Sequence, residues 1–142
     1  MKQRRHRDAA YMALHNEIGK IGEDIAAKWL IDHEISVIER NYRKNYGEID
    51  IVARGTTEIR FIEVKSVSYE TKSDLQHAVS HETWRPEENV HYLKQKRFGN
   101  TVETWIDENG YIGDWQIDIM TVRVVPREKY AVVDVLENVI FE

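Results

Sequence analysis

The chain has 142 residues, 42% of them hydrophobic and 32% charged, with a formal net charge of −5. That length can bury the core of one soluble domain without disulfides or a structural metal, and the absence of cysteine excludes disulfide frameworks, cysteine-ligated zinc and thiol catalysis. No apolar run nears the roughly 20 residues of a membrane span, and no signal-type apolar stretch follows the basic start (Lys2, Arg4, Arg5, Arg7), so a soluble, unprocessed protein suited to a reducing cytoplasm is expected.

Residues 1–8 read as a flexible basic tail. From about Ala9 to Asp32, with Asp8 as N-cap, the residues Tyr11, Leu14, Ile18, Ile21, Ile25, Trp29 and Leu30 recur at helical spacing and predict an amphipathic helix. Gly19 and Gly22 lie inside it at about 1 kcal/mol each against alanine, which points to close packing there. Ile35 to Asn41 reads as a strand, and Arg40, Arg43 and Lys44 form a basic turn. Strands follow at Gly47–Arg54 and Ile59–Ser66, joined by the loop Gly55-Thr56-Thr57-Glu58, so an antiparallel meander is predicted. Residues 67–89 are polar with little periodicity and read as a long loop. Val90, Leu93, Phe98, Val102, Trp105 and Ile106 give a second helix from about Val90 to Asp107, with Gly110 as its stop signal. Asp114–Val125 and Tyr130–Leu136 are the last strands, with Asn138 to Phe141 as a possible short addition. The order α-β-β-β-α-β-β over one domain, 1–142, makes a mixed α/β architecture with a central sheet flanked by helices.

The hairpin register carries the chemistry. With the four-residue loop closed, Arg54 faces Ile59, and counting back sets Asp50 opposite Glu63. Strand alternation puts Glu48, Asp50 and Val52 on one face, and Glu63 and Lys65 together on one face. Two carboxylates about 4.5–5.5 Å apart at Cβ repel unless something neutralises them. A divalent cation such as Mg²⁺ does so, since carboxylates and water are its preferred ligands. A lysine on the same face can hold an attacking water or offset charge on a phosphate. An Asp, a Glu and a Lys also suit the solvated face of a hairpin, and these residues alone leave both readings open.

Asp50, Glu63 and Lys65 on adjoining strands after a helix resemble the PD-(D/E)XK nuclease signature. The likeness is closer to the YraN family of bacterial endonuclease-like proteins, itself similar to archaeal Holliday junction resolvases. The matching stretches are Gly19-x-x-Gly22-Glu23-x-x-Ala26, Glu39-Arg40-Asn41-Tyr42-Arg43, Gly47-Glu48-Ile49-Asp50-Ile51-Val52 and Phe61-Ile62-Glu63-Val64-Lys65. Lys94-x-x-Arg97-Phe98, Trp115-Gln116-Ile117-Asp118 and Glu137-Asn138-Val139-Ile140 resemble its later blocks. The likeness covers about residues 16–142. It implies a restriction-endonuclease-like α/β fold, with Asp50 and Glu63 as carboxylates binding Mg²⁺ or Mn²⁺. Lys65 would be the catalytic lysine, and Glu23 of the first helix would complete the site. It further implies a metal-dependent DNA endonuclease, on branched or structured DNA by analogy with the resolvases, and a possible homodimer. Ile49 stands where the signature nominally has proline, as in the YraN pattern. The first helix ends in His33-Glu34, where the family often has Gly.

A second reading is a non-catalytic nucleic-acid-binding or scaffold module that keeps the fold. Residues 101–142 carry nine acids and three bases, whereas residues 1–100 carry 16 acids and 17 bases. A phosphate-binding face therefore belongs to the first hundred residues. Arg40, Arg43, Lys44 and Lys94 could follow a nucleic-acid backbone, or simply be solvated. Glu48 could be a further ligand, but its place at the strand start favours a solvated or turn role. His77 and His81 have a helical zinc spacing with no third ligand in sight. Tyr42, Tyr46 and Tyr69 could stack on unpaired bases, though strand tyrosines more often pack. Asp118 is either a buried hydrogen-bonded acid or a helper near the site.

Overall fold

The computed structural model describes residues 2–81 and 92–139. Helix α1 (Lys2–Asp32) leads into strands β1 (Ser36–Lys44), β2 (Gly47–Arg54) and β3 (Glu58–Ser68), then helices α2 (Lys72–His81) and α3 (Tyr92–Asn109). Strand β4 (Asp114–Val125), one 3-10 turn at Pro126–Glu128 and strand β5 (Tyr130–Leu136) complete the described chain. The five strands lie in the order β1-β2-β3-β4-β5. The first three form the expected antiparallel meander, β4 runs parallel to β3, and β5 returns antiparallel to β4. The fold is thus the expected mixed α/β, nuclease-like arrangement. Among the described residues no helix is long and apolar enough to cross a membrane.

Three expectations are corrected. Residues 2–8 continue α1 rather than forming a tail; no glycine or proline interrupts the run to Gly19. The polar stretch after β3 holds α2, started by Thr71, whose Oγ1 accepts the Asp74 N–H at 3.0 Å. Its sole buried side chain among the described positions is Leu75, so it has too little apolar periodicity to be read from sequence. The order is therefore α-β-β-β-α-α-β-β. Residues 137–139 form no strand, and the rest of that expected element lies outside the described residues.

The two helices that bear on the site pack on opposite faces of the sheet. Ala26, Ala27 and Leu30 of α1 bury against Ile51, Ala53, Ile62, Met120, Val122 and Val124. Phe98, Val102 and Trp105 of α3 bury against Ile49, Val52, Ile59, Phe61 and Ile117. Gly22 is where α1 comes closest: a Cβ there would lie 2.8 Å from Ser66 Cβ and would also strike Ser66 Oγ. Gly19 has nothing within 4 Å, so its expected packing role is not found.

Both helices end with the same hydrogen-bonded turn. Tyr111 N–H donates to Ile106 O at 3.0 Å past α3, and Ile35 N–H donates to Leu30 O at 2.9 Å past α1. The residue in the left-handed conformation is Gly110 (φ +56°) in one and Glu34 (φ +63°) in the other. Glutamate has a Cβ that is crowded there and glycine does not. Glu34→Gly should therefore raise stability by about 0.5–1 kcal/mol, seen as a higher urea midpoint at unchanged slope. A lower midpoint would show that the Glu34 side chain contributes more than its backbone strain costs.

Candidate metal centre

The site forms where β2 and β3 separate. Their ladder runs from Arg54↔Ile59 to Ile51↔Ile62, the expected register, and stops one residue short of Asp50 and Glu63. The next backbone donor on β3, the Val64 N–H, instead donates to Asp50 Oδ2 at 2.8 Å. The Asp50 carboxylate thus closes the end of the ladder and is held there. On the other side of β2, Tyr42 pairs with Ile49 and Arg40 with Ile51, and Asn41 between them has φ +54°. Strict alternation breaks here. Ile49 and Val52 both face α3, whereas Ile51 and Ala53 face α1. Strict alternation would put Ile49 and Ile51 on one face; this twist separates them and turns Asp50 into the gap where β2 parts from β3.

Three carboxylates meet in that gap. Ligand oxygens of Glu23 (α1), Glu48 and Asp50 (β2) all lie within 4.8 Å of one another. The Glu23 and Asp50 carboxylates stand close enough that a proton shared between them would relieve their repulsion. Burial pushes the Asp50 carboxyl up to about 7, and the charges of Glu23, Glu63 and Glu48 act in the same direction against the opposing Val64 hydrogen bond. Burial likewise raises Glu23 above the usual carboxylate range, with Glu48 adding to it and Arg40 opposing it. This crowding is unfavourable for the protein alone and favourable for a bound cation. An all-oxygen donor set suits a hard divalent ion such as Mg²⁺ or Mn²⁺, so these three residues could hold one.

Glu63 and Lys65 stand beside this cluster rather than within it. Glu63 is 4% exposed, and Lys65 Nζ lies 3.2 Å from its Oε1. Glu63 lines the same pocket of about 430 Å³ as Glu48 and Asp50, together with Gly47, Arg97 and Phe98. Sequence reasoning underrated Glu48, whose place at the strand start suggested solvent. It lies two residues from Asp50 on β2, with a carboxylate oxygen within 4.8 Å of the Asp50 and Glu23 ligand oxygens. Arg97 was not singled out, because one arginine on an exposed helix surface gives no pattern. Its only sequence signal is that it belongs to a family-like block.

The other candidates fall outside the cluster. Arg40 pairs with Asp24 at 2.7 Å, Arg43 with Glu48 at 3.3 Å, and Lys44 with Glu108 at 2.6 Å. Each of these expected phosphate contacts is already engaged by a carboxylate. Tyr42 is a packing residue in the α3-side core, and its hydroxyl donates to Glu108 at 2.9 Å. Burial, with Glu108 beside it, pushes its phenol up to about 12. Tyr46 is exposed and hydrogen-bonds Thr104. Asp118 is a buried hydrogen-bonded acid, accepting from Gln116 Nε2 at 2.9 Å and the Asn138 N–H at 2.9 Å. The side chains of Lys94 and His81 lie outside the described residues, so the Lys94 contact and the His77/His81 pair are not placed.

Comparison with known proteins agrees with the motifs. Residues 22–122 match the family described as Uncharacterised protein family UPF0102. That span contains Glu23, Glu48, Asp50, Glu63, Lys65 and Arg97. A UPF0102 protein of Dictyoglomus turgidum is 32% identical over 114 residues, covering 80% of this chain and 87% of the relative. One of Thermotoga maritima is 37% identical over 107 residues, 75% of this chain and 85% of the relative. One of Bacteroides thetaiotaomicron is 38% identical over 108 residues, covering 76% and 75%.

Proposed function

The chain belongs to the UPF0102 family, the YraN family to which its motifs point, and from its crowded carboxylates we propose a metal-dependent endonuclease that hydrolyses phosphodiester bonds in DNA. The observation that carries this reading is the convergence of Glu23, Glu48 and Asp50 within 4.8 Å, with the Asp50 carboxyl pushed up to about 7. Glu23, Glu48 and Asp50 would hold Mg²⁺ or Mn²⁺. A bound divalent ion supplies Lewis-acid polarisation of a phosphate and an acidified water.

The chain's own residues supply the rest. Val64 N–H fixes Asp50 Oδ2 and so sets where the cluster stands. Glu63 holds the Lys65 ammonium at 3.2 Å. From there Lys65 orients the attacking water and offsets charge that develops on the phosphate. Branched or structured DNA is the substrate class that the likeness to resolvases suggests. A second reading, a non-catalytic nucleic-acid-binding module, is favoured by one feature: Lys65 is not among the side chains lining the pocket.

The test is incubation of wild type and Lys65→Ala with linear, nicked and four-way DNA in Mg²⁺ or Mn²⁺, with EDTA controls. Metal-dependent cleavage by wild type should fall about 100-fold or more in Lys65→Ala. No cleavage of any form by wild type would sink the nuclease and leave the binding module.

A further inference from the structure

Arg97 stands at the junction of two cavities. It lines the acidic pocket of about 430 Å³. It also lines a groove of about 680 Å³ between the β1–β2 turn and α3, which contains Arg43, Tyr46, Gly47 and Glu48. Its backbone is fixed from two sides. Thr101 Oγ1 donates to Arg97 O at 2.7 Å. A Cβ on Gly47 would lie 2.8 Å from Arg97 O and strike Thr101 Oγ1, so the absence of one lets α3 rest directly on β2. Phe98, next in the chain, is buried at 3% exposure and anchors the helix from below.

The guanidinium itself is uncommitted. Among the described residues it forms no ion pair and no hydrogen bond, although Glu48, Asp50 and Glu63 line the pocket with it. Arg40, Arg43 and Lys44, by contrast, are each bound to a carboxylate. A planar guanidinium with its donors open matches phosphate oxygens in a two-point fashion that lysine does not reproduce.

We propose that Arg97 binds the phosphate next to the scissile one, on a polynucleotide strand lying along the groove between the β1–β2 turn and α3. The proposal rests on the metal-dependent phosphodiester reading of the acidic pocket. It adds that the substrate is recognised as a chain of phosphates and that α3 carries the contact.

The test is fluorescence anisotropy of a labelled linear duplex oligonucleotide with the full chain in Ca²⁺, across a range of salt. The proteins are wild type, Arg97→Ala, Arg97→Lys and Arg54→Ala, with Mn²⁺ affinity measured in parallel. Arg54 is exposed at the far end of β2 and controls for loss of one positive charge. Arg97→Ala should weaken binding about tenfold. It should also lower the log–log salt slope by about 0.9, one phosphate contact. Arg97→Lys should recover part of the affinity, and Mn²⁺ affinity should stay at the wild-type value. Unchanged affinity and slope in Arg97→Ala, or an equal loss in Arg54→Ala, would overturn the proposal. A matching loss of Mn²⁺ affinity would also overturn it, because Arg97 would then act on the acidic cluster. Wild type that binds DNA through Arg97 yet cleaves none would sink the catalytic reading alone. Wild type that binds no DNA would overturn both.

Discussion

Asp50→Asn will make the metal-free protein more stable at pH 8, by about 2–4 kcal/mol, while removing its capacity to hold a divalent cation. The folded protein keeps a proton on Asp50 up to about pH 7, against an ordinary value of 3.8. Between those limits the folded state binds more protons than the unfolded state, so stability falls as pH rises through that window. Above about pH 7 the full penalty of a charged, crowded carboxylate is present. Asparagine is nearly isosteric, and its amide oxygen can still accept the Val64 N–H that Asp50 Oδ2 accepts at 2.8 Å. It therefore removes the penalty without opening the ladder end. Urea titrations in EDTA should show the variant ahead at pH 8 and the two proteins converging toward pH 4. Added Mn²⁺ should then raise wild type and leave the variant unmoved. A variant less stable than wild type at pH 8 would mean that these carboxylates are not in conflict.

Asp118→Ala should act in the opposite direction, costing about 3–5 kcal/mol. Asp118 is 1% exposed, and it accepts from Gln116, from the Asn138 N–H and, at 3.4 Å, from Arg60 Nη1. Arg60 is in turn bound to Glu58 and Glu137, each at 2.8 Å. Val139 N–H donates to Ile117 O at 2.7 Å. Asp118 thus ties residues 137–139 to β3 and β4, and truncation leaves Arg60 without its buried counter-charge. Mn²⁺ affinity should stay at the wild-type value, because none of these groups belongs to the acidic cluster. A loss below about 1 kcal/mol would show that Glu58 and Glu137 suffice for Arg60. Two aspartates of one sheet, in β2 and β4 on either side of β3, thus have opposite effects because of their surroundings: hydrogen-bond donors and an arginine around Asp118, and other acids around Asp50.

That difference marks how much could be read in advance. The four-residue loop after Arg54 is enough to set the β2–β3 register, because a hairpin loop and strand alternation leave few alternatives. The bend at Asp50 was not legible. Alternation assumes a regular strand, whereas the twist depends on Asn41 at φ +54° and on β2 leaving β3. Alternation already puts Glu48 on the face of Asp50, and the structure adds that both meet Glu23 of α1 there. The long helices were legible from repeated apolar positions, and α2 was not, having Leu75 as its buried anchor. Gly22 and Gly19 look alike in sequence, but only Gly22 touches the sheet, because the contact depends on where α1 crosses β3 and β4.

The most direct test is a Mn²⁺ titration at pH 8 followed by electron paramagnetic resonance, using wild type, Glu23→Gln, Glu48→Gln and Asp50→Asn. One ion per wild-type chain is expected, with binding about tenfold or more weaker in each glutamine variant and lost in Asp50→Asn. Wild type that binds no Mn²⁺, or three variants that bind it as tightly as wild type, would contradict the metal centre.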